Sequence, residues 1–369
     1  MKTVYVGLSG GVDSSVSAAL LKEQGFKVVG VYMKNWTQDL PGMPCPWKED
    51  FADAKRVAVQ LGIDFKVYDF QKQYKRKVVD YMLDEFKAGR TPNPDIMCNQ
   101  EIKFKLFLDT ALEDGADLVA TGHYAKTKDG RLFVAKDSNK DQTYFLCRVT
   151  KDALERTIFP LGDLIKPQVR ELAKKYKLVT ADKKESMGIC FVGKVGIKEF
   201  LEQYIDKKPG KVIDQKGKVI GKHDGAIFYT IGQRHGLEVG GGLPYYVIGK
   251  DMEKNEVYVT TDLQDEKLWG REVKLADIHW INVVPTASQK LMVRMRHRAK
   301  LIRVKNLTPP QILSGAVGNQ IAEHQDFAAG LSNSKLVAEL EDEVRALTPG
   351  QSAVFYADSE CLGGGIVSL

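Results

Sequence analysis

Apolar and polar positions alternate in two rhythms over the first third of the chain. Val4 to Leu8 is a short, nearly continuous apolar run, the pattern of a strand covered on both faces, and Ser15 to Gln24 follows with small and apolar residues at helical spacing. Lys27 to Met33 (KVVGVYM) repeats the buried-strand pattern, with Gly25 placed to end the helix before it. Asp50 to Leu61 carries Phe51, Ala54, Val57, Ala58 and Leu61 on one helical stripe, and Phe65 to Phe70 predicts a third strand. Tyr74 to Ala88 reads as a helix. Gly89 to Asp95 reads as a loop, because Pro92, Pro94 and the residues before them resist the helical conformation. A helix over Glu101 to Glu113 and a strand over Asp117 to Thr121 continue the series. Such alternation predicts an α/β fold: a doubly wound parallel sheet with right-handed crossovers, helices on both faces and ligand sites at the carboxyl ends of the strands. Gly10, Met33 and Gly122 fall at those ends.

From about Lys207 the rhythm shortens to strand-like runs separated by glycine turns: Lys211 to Ile213, Gly225 to Ile231, Tyr245 to Gly249 and Val257 to Thr260. A second β-rich stretch runs from about Glu272 onward through Leu291 to Val304, Leu336 to Leu340, Ser352 to Tyr356 and Gly365 to Val367, and suggests a compact barrel. The expected organisation is therefore a catalytic domain over 1–206, a small β-rich domain over 207–271 and a C-terminal β-barrel over 272–369. Thr308 to Ser334, with Pro309-Pro310 and many small residues, reads as a loop insertion containing a short helix.

Composition narrows the class without choosing the chemistry. With 369 residues and 43% hydrophobic content the chain can bury real cores. Its five cysteines, at 45, 98, 147, 190 and 361, form no dense framework, so reduced thiols are expected and any disulfide is catalytic rather than structural. The first residues enter a strand directly and no apolar run approaches the ~18 residues of a membrane span, so a cytoplasmic enzyme without membrane contact is expected, with a monomer favoured. A net charge of +6 permits a polyanionic partner.

The first βα junction carries the strongest chemical signal. Gly7, Leu8, Ser9, Gly10, Gly11, Val12, Asp13 and Ser14 join strand to helix, and adjacent glycines let several main-chain N–H groups converge on an anion at a helix N-terminus. No Lys-Ser or Lys-Thr pair closes the turn, which argues against γ-phosphate transfer and for gripping the pyrophosphate of a nucleotide. Asp13 has two readings, a Mg²⁺ shared with phosphates or a helix-start residue. SGGVDS resembles the PP-loop of ATP pyrophosphatases, folds of the adenine nucleotide alpha hydrolase type.

Two cysteines stand out. Cys98, in Asn93-Pro94-Asp95-Ile96-Met97-Cys98-Asn99, is expected at a helix start, with Asn99 a possible N-cap and Arg90, Lys103 and Lys105 near in sequence. Helix N-termini and cations favour the thiolate, so by location Cys98 is either a nucleophile or an apolar filler beneath the loop. Cys190 sits between Gly188 and Gly193 on a short apolar segment and reads equally as a buried strand residue.

SGGVDSSVSAALL, MKNW, TPNPDIMCN, ATGHYA, KDQTYFL, SMGICFVG, YTIGQRHGL and LTPGQSAVFY with CLGGGI occur in that order over nearly the whole chain. Together they resemble the bacterial tRNA-specific 2-thiouridylase family, which thiolates the wobble uridine of certain tRNAs. The resemblance implies that the loop, Met33 and Gly122 bind ATP. It implies that Cys98 is the nucleophile and that Cys190 carries sulfur as a persulfide, the two able to form a disulfide. It further implies that Asn93, Pro94 and Asp95 contact the base. By their residue type alone, Asp95 is a general base or an ordinary turn residue. A persulfide donor, either a relay carrier or a cysteine desulfurase, is implied as partner, and Mg²⁺ is expected with ATP. An iron–sulfur cluster on Asp95, Cys98 and Cys190 is the less favoured mechanism.

On the RNA side, strict alternation in Leu291 to Val304 places Arg294, Arg296, Arg298 and Lys300 on one face of an expected strand, either a track for phosphates or a solvated edge. The resemblance assigns tRNA contacts to His123, Lys140, Asp141, Gln142 and Gln351, and to Arg296-His297, where the family carries Arg-Tyr. The basic cluster Lys72, Lys75, Arg76 and Lys77 reads as an exposed helix face. Two rival classes remain: another adenylating PP-loop ligase or amidotransferase, which needs no paired thiols, and a non-catalytic RNA-binding protein with a relic pocket.

Overall fold

Val4, Val6 and Leu8 face one hydrophobic core and Tyr5 faces another, so the first strand is apolar at every position because both its sides are covered. The computed structural model describes residues 1–39, 45–184, 196–237, 239–240, 244–286, 289–308 and 335–368. In it β1 (Thr3–Gly7), β2 (Lys27–Lys34), β3 (Asp64–Asp69) and β4 (Leu118–Ala120) are followed by a hairpin of β5 (Lys126–Lys128) and β6 (Arg131–Phe133), then by β7 (Thr157–Ile158). Five of these make a wholly parallel sheet in the order β3-β2-β1-β4-β7. One face is covered by α1 (Val12–Glu23), α2 (Trp47–Leu61) and the helix Lys166–Lys175, through Val16, Leu21, Val57, Ala58, Val169 and Ala173. The other is covered by helical segments spanning 71–87 and 94–113, through Tyr74, Val78, Met82, Ile102 and Phe107. The doubly wound arrangement expected from the pattern is present.

Both helical segments on that second face contain a π-helical stretch, Lys75–Asp80 in one and Cys98–Leu106 in the other. Wide turns of this kind are rare and concentrate at functional sites. The second helix begins earlier than expected. Asn93 is its N-cap, its side-chain oxygen accepting from the N–H groups of Asp95 and Ile96, and Pro94 occupies the first turn, where a missing N–H costs nothing. Asn99 is therefore not a cap, and Cys98 lies one turn inside.

Beyond the sheet, β8 (Gly210–Ile213), β9 (Val219–His223), β10 (Tyr246–Asp251) and β11 (Glu256–Thr260) form a four-stranded sheet in the order β10-β11-β8-β9. The apolar run from Gly225 to Ile231 is not a strand: Ala226–Phe228 is a 3₁₀ turn whose side chains pack into the same core as Phe86, so its hydrophobicity serves a junction. The last strands are β12 (Trp269–Trp280), β13 (Met292–Arg294), β14 (Ile302–Thr308), β15 (Leu336–Arg345), β16 (Ser352–Ala357) and β17 (Glu360–Val367), and pairing of β12 with β17 closes them into an antiparallel barrel. The β5–β6 hairpin, although it lies between β4 and β7 in the chain, adds to this barrel's sheet through β17, with Leu132 opposite Cys361 and Arg131 paired to Glu360.

The expected single strand over Leu291 to Val304 is two. The chain turns at 295–301, where the Ala299 N–H donates to the Arg296 carbonyl and Arg298 takes a left-handed φ of 63°, and Met292 and Val293 pair with Arg303 and Ile302. The cationic stripe is thereby dispersed. Arg294 points inward to Asp141, Arg296 donates to the Ala346 carbonyl, and Lys300 pairs with Asp342. Thr308 closes β14, and the rest of the expected insertion, 309–334, lies outside the described residues.

Candidate active site

The glycine turn after β1 is built by exclusion of side chains. Gly10 has φ 76°, and a Cβ there would lie 2.3 Å from the carbonyl oxygen of Asp50 on α2. Gly122, just beyond β4, packs so closely on α1 that a Cβ would lie 2.7 Å from the Ser14 nitrogen. Gly7 leaves room for Met33, whose terminal methyl would be 2.9 Å from a Cβ there, with Phe107 beyond it. The carboxyl ends of β1, β2 and β4 thus meet around one spot. Within the turn the hydroxyls of Ser14 and Ser15 both donate to the Gly11 carbonyl, at 3.1 and 2.8 Å, and the Ser9 N–H donates to the Ser14 hydroxyl. No side chain caps α1 at Gly11, so its first N–H groups stand at the positive end of the helix, where an anion is favoured.

Asp13 is already engaged. Lys166 Nζ reaches both its carboxylate oxygens, at 2.7 and 2.9 Å, and the Tyr124 hydroxyl donates to Oδ1 at 3.0 Å. Neither partner was singled out in the sequence. Tyr124 lay within the ATGHYA motif, whereas nothing local marks Lys166, which comes from a helix start 153 residues away.

On the other side of the sheet end lies the helix that carries the thiol. Cys98 is 2% exposed and Asp95, one turn earlier, is largely enclosed. Burial pushes the Asp95 carboxyl above the usual carboxylate range and the charge of Lys103 pulls it back. Lys103 Nζ is 3.4 Å from Nε2 of His123, whose Nδ1 is 2.7 Å from the Thr121 hydroxyl. Desolvation, reinforced by Lys103, holds the buried His123 well below the ordinary histidine range, so the ring is neutral at pH 7. A neutral ring beside an ammonium accepts at Nε2 and therefore donates at Nδ1 to Thr121. Of the cations near Cys98 in sequence, Arg90 is spent on Glu85 and Lys105 on Glu101, leaving Lys103 directed to the site. Lys77 and Lys75 of the basic cluster also form ion pairs, with Glu101 and Asp80.

The residues assigned to RNA are distributed unevenly. Asp141 is buried, its carboxylate accepting from the Ala135 N–H and the Thr143 hydroxyl and facing Arg294, so this side chain is a structural one. Gln142 exchanges hydrogen bonds with the main chain of Tyr124. His297 packs on Phe145 with ring centroids 4.5 Å apart, while Asn99, next to the thiol, donates to the Phe145 carbonyl. Arg296 and Gln351 both line a cleft of about 340 Å³ on the barrel, and the Gln351 amide donates to the Thr91 carbonyl, two residues before the Asn93 cap. Cys190 lies outside the described residues, as do its neighbours 185–195. Cys147 and Cys361 are fully enclosed, and burial drives both thiols up, Cys147 to about 12, which makes them inert at neutral pH. Among the described residues no helix is long and apolar enough to cross a membrane.

The sequence matches the models of a tRNA methyl transferase HUP domain over residues 2–194, a tRNA methyl transferase PRC-barrel domain over 198–261 and an aminomethyltransferase beta-barrel domain over 323–367. The tRNA-specific 2-thiouridylase MnmA of Bacillus subtilis (strain 168) is 44% identical over 371 residues, covering 99% of this chain and 94% of that protein. Its counterpart of the same name in Levilactobacillus brevis is 45% identical over 375 residues with the same coverage. Among solved structures, a 4-thiouridine synthetase in complex with RNA and bound ATP aligns over 55% of this chain and 50% of that one, at 20% identity and a TM-score of 0.36.

Proposed function

The chain belongs to the tRNA-specific 2-thiouridylase family, and we propose that Cys98, Asp95 and Cys190 carry out its ATP-dependent 2-thiolation of the wobble uridine in tRNA. The supporting observation is a junction: Gly122 packs on Ser14 of the phosphate loop, and the very next residue, His123, touches Lys103 of the thiol helix. Nucleotide cradle and thiol helix therefore flank one strand end.

Uracil C2 is a poor electrophile, because its oxygen is a poor leaving group. In the proposed sequence O2 attacks the α-phosphorus of ATP, pyrophosphate leaves, and the resulting adenylate makes AMP the leaving group from C2. The turn from Ser9 to Ser14 holds the pyrophosphate, and the ends of β2 and β4, at Met33 and Gly122, take the adenosine. Mg²⁺ arriving with ATP would be held by Asp13 and phosphate oxygens and would offset their charge. Asp95 takes the proton at N3 of the uracil, which sends electron density to O2 as it attacks. The outer sulfur of a Cys190 persulfide then forms the new C2–S bond as AMP departs. Cys98 attacks the inner sulfur, breaking the persulfide bond and leaving a Cys98–Cys190 disulfide that a thiol reductant resets. In the equivalent order Cys98 attacks first and the released hydrosulfide displaces AMP. In this scheme Lys140, Gln142, Arg296, His297 and Gln351 contact the tRNA, and Asn93 and Pro94 contact the extruded base. The methyl transfer in the names of the matching models has no counterpart in this scheme.

The test is incubation with ATP, Mg²⁺, a persulfide donor and unmodified tRNA, followed by nucleoside mass analysis. Wild-type protein should form 2-thiouridine and release pyrophosphate, and Cys190→Ser should release pyrophosphate without thiolating. Unimpaired product formation in Cys98→Ser together with Cys190→Ser would instead mark an adenylating ligase. Absence of any tRNA-dependent pyrophosphate release in the wild type would leave an RNA-binding protein.

A further inference from the structure

Thr121, His123 and Lys103 form a chain of contacts that ends in an ammonium. His123 is 8% exposed, its ring walled by Phe104 and Phe159 at centroid distances of 5.7 and 6.2 Å. Both ring nitrogens are occupied: Nδ1–H donates to the Thr121 hydroxyl at 2.7 Å, and Nε2 accepts from Lys103 Nζ at 3.4 Å. What His123 offers to the site is therefore the lysine it holds. A carboxylate in this place would cancel the charge of the ammonium, whereas a neutral imidazole aims it without cancelling it. Lys103 also owes its place to the π-helical stretch Cys98–Leu106. The i→i+5 winding stacks Lys103 over Cys98, the place that Ile102 would take in an α-helix, and leaves Ile102 in the core.

The glycine turn and the thiol helix meet just beyond β4, where Gly122 packs on Ser14 and His123 follows it with Lys103 attached. In a uridine adenylate the α-phosphate joins the nucleotide on one side to the uracil on the other, so it crosses this junction, where the ammonium stands. We propose that Lys103 is a catalytic residue that binds the α-phosphate of ATP and of the adenylate, and that His123 is the positioning residue that aims it. As sulfur bonds to C2, the C2–O2 bond breaks and its electron pair stays on O2, which departs as a phosphate oxygen of AMP. Lys103 meets that charge as it forms, at a site arranged before the reaction begins. This rests on the adenylation chemistry proposed above.

Equilibrium binding of AMP, adenosine and inorganic pyrophosphate to full-length wild-type and variant proteins, paired with 2-thiouridine turnover, provides the test. In Lys103→Met, AMP affinity should fall roughly 10- to 100-fold with adenosine and pyrophosphate affinities unchanged, and kcat should fall roughly 100-fold. Lys103→Arg should recover most of the AMP affinity. His123→Ala should lose AMP affinity in the same selective way, and His123→Gln, whose amide oxygen accepts from an ammonium, should regain it. An unchanged ratio of AMP to adenosine affinity in Lys103→Met would overturn the role of Lys103, and full AMP affinity in His123→Ala would overturn that of His123. If the methionine variant does not fold, reductive methylation of Lys103 in the wild-type protein decides instead. Saturating AMP should protect this lysine and saturating adenosine should not, and protection by both or by neither counts against the role. A wild type that releases no pyrophosphate with ATP and tRNA would remove the adenylation reading and this inference with it, whereas an active wild type beside an indifferent Lys103→Met removes this inference alone.

Discussion

Lys103 Nζ stands 3.4 Å from Nε2 of His123, and its charge also reaches Asp95 two turns earlier on the same helix. Burial raises the Asp95 carboxyl and Lys103 opposes that rise, so the lysine favours the ionised form of the base proposed above. Lys103→Met should therefore move the acid limb of the kcat/KM profile for thiolation to higher pH. Lys103→Arg should hold the limb near its original position. A profile that drops uniformly without moving would show that Lys103 does not act through Asp95.

Gly10 and Gly217 share a φ of 76° but differ in their surroundings. A Cβ at Gly10 meets the Asp50 carbonyl oxygen at 2.3 Å, whereas nothing lies within 4 Å of one at Gly217. Gly10→Ala should displace the loop and lower ATP affinity at least tenfold, while Gly217→Ala should cost only about 1 kcal/mol of backbone strain and leave ATP binding intact. Isothermal titration with ATP and a thermal melt of each variant distinguish the two costs.

The barrel holds the thiol helix by its entry loop. The Thr91 N–H donates to the Pro349 carbonyl at 2.8 Å, the Gln351 amide donates to the Thr91 carbonyl at 2.8 Å, and a Cβ on Gly350 would lie 2.7 Å from the Thr91 nitrogen. Gly350→Ala should push this loop away and cut the thiolation rate roughly tenfold, since small misplacements of a catalytic group are costly. ATP affinity should be unchanged, because the phosphate loop lies on other elements. Parallel losses in ATP binding and thiolation would refute this separation.

Lys250 is a half-buried lysine on β10, donating to the Tyr229 carbonyl at 2.8 Å and held down to about 8 by desolvation. Unfolded, it keeps its proton to about 10.5. Between those values the unfolded chain binds the extra proton, so this group's contribution to stability rises with pH from about 8 to 10.5 and is flat below 8. The melting temperature of the wild type relative to Lys250→Met should climb by roughly 2–4 °C between pH 8 and pH 10. Melting curves of the two proteins that stay parallel over this range would contradict it.

Much of this molecule was legible along the chain wherever structure depends on neighbours in sequence. The βα order, the glycine turn and the change to short strands after residue 207 all follow from local periodicity and backbone preference. The same local logic misled where tertiary packing overrode it. The Leu291 to Val304 alternation is real, but a turn at Arg298 folds it into a hairpin and scatters its cations. The apolar run at Gly225 fills a junction instead of pairing in a sheet.

Period and spacing report only on what a residue's own segment will do, and from them come the parallel sheet, the glycine turn after β1 and the helix that bears Cys98. Partnerships between distant segments have no such local signature. The pairing of Asp13 with Lys166, the approach of Lys103 to His123 and the joining of the β5–β6 hairpin to the barrel arise only once the sheet brings remote strand ends together. Burial then sets the charge states of Asp95 and His123, because the surrounding dielectric belongs to the folded protein and not to the order of its residues.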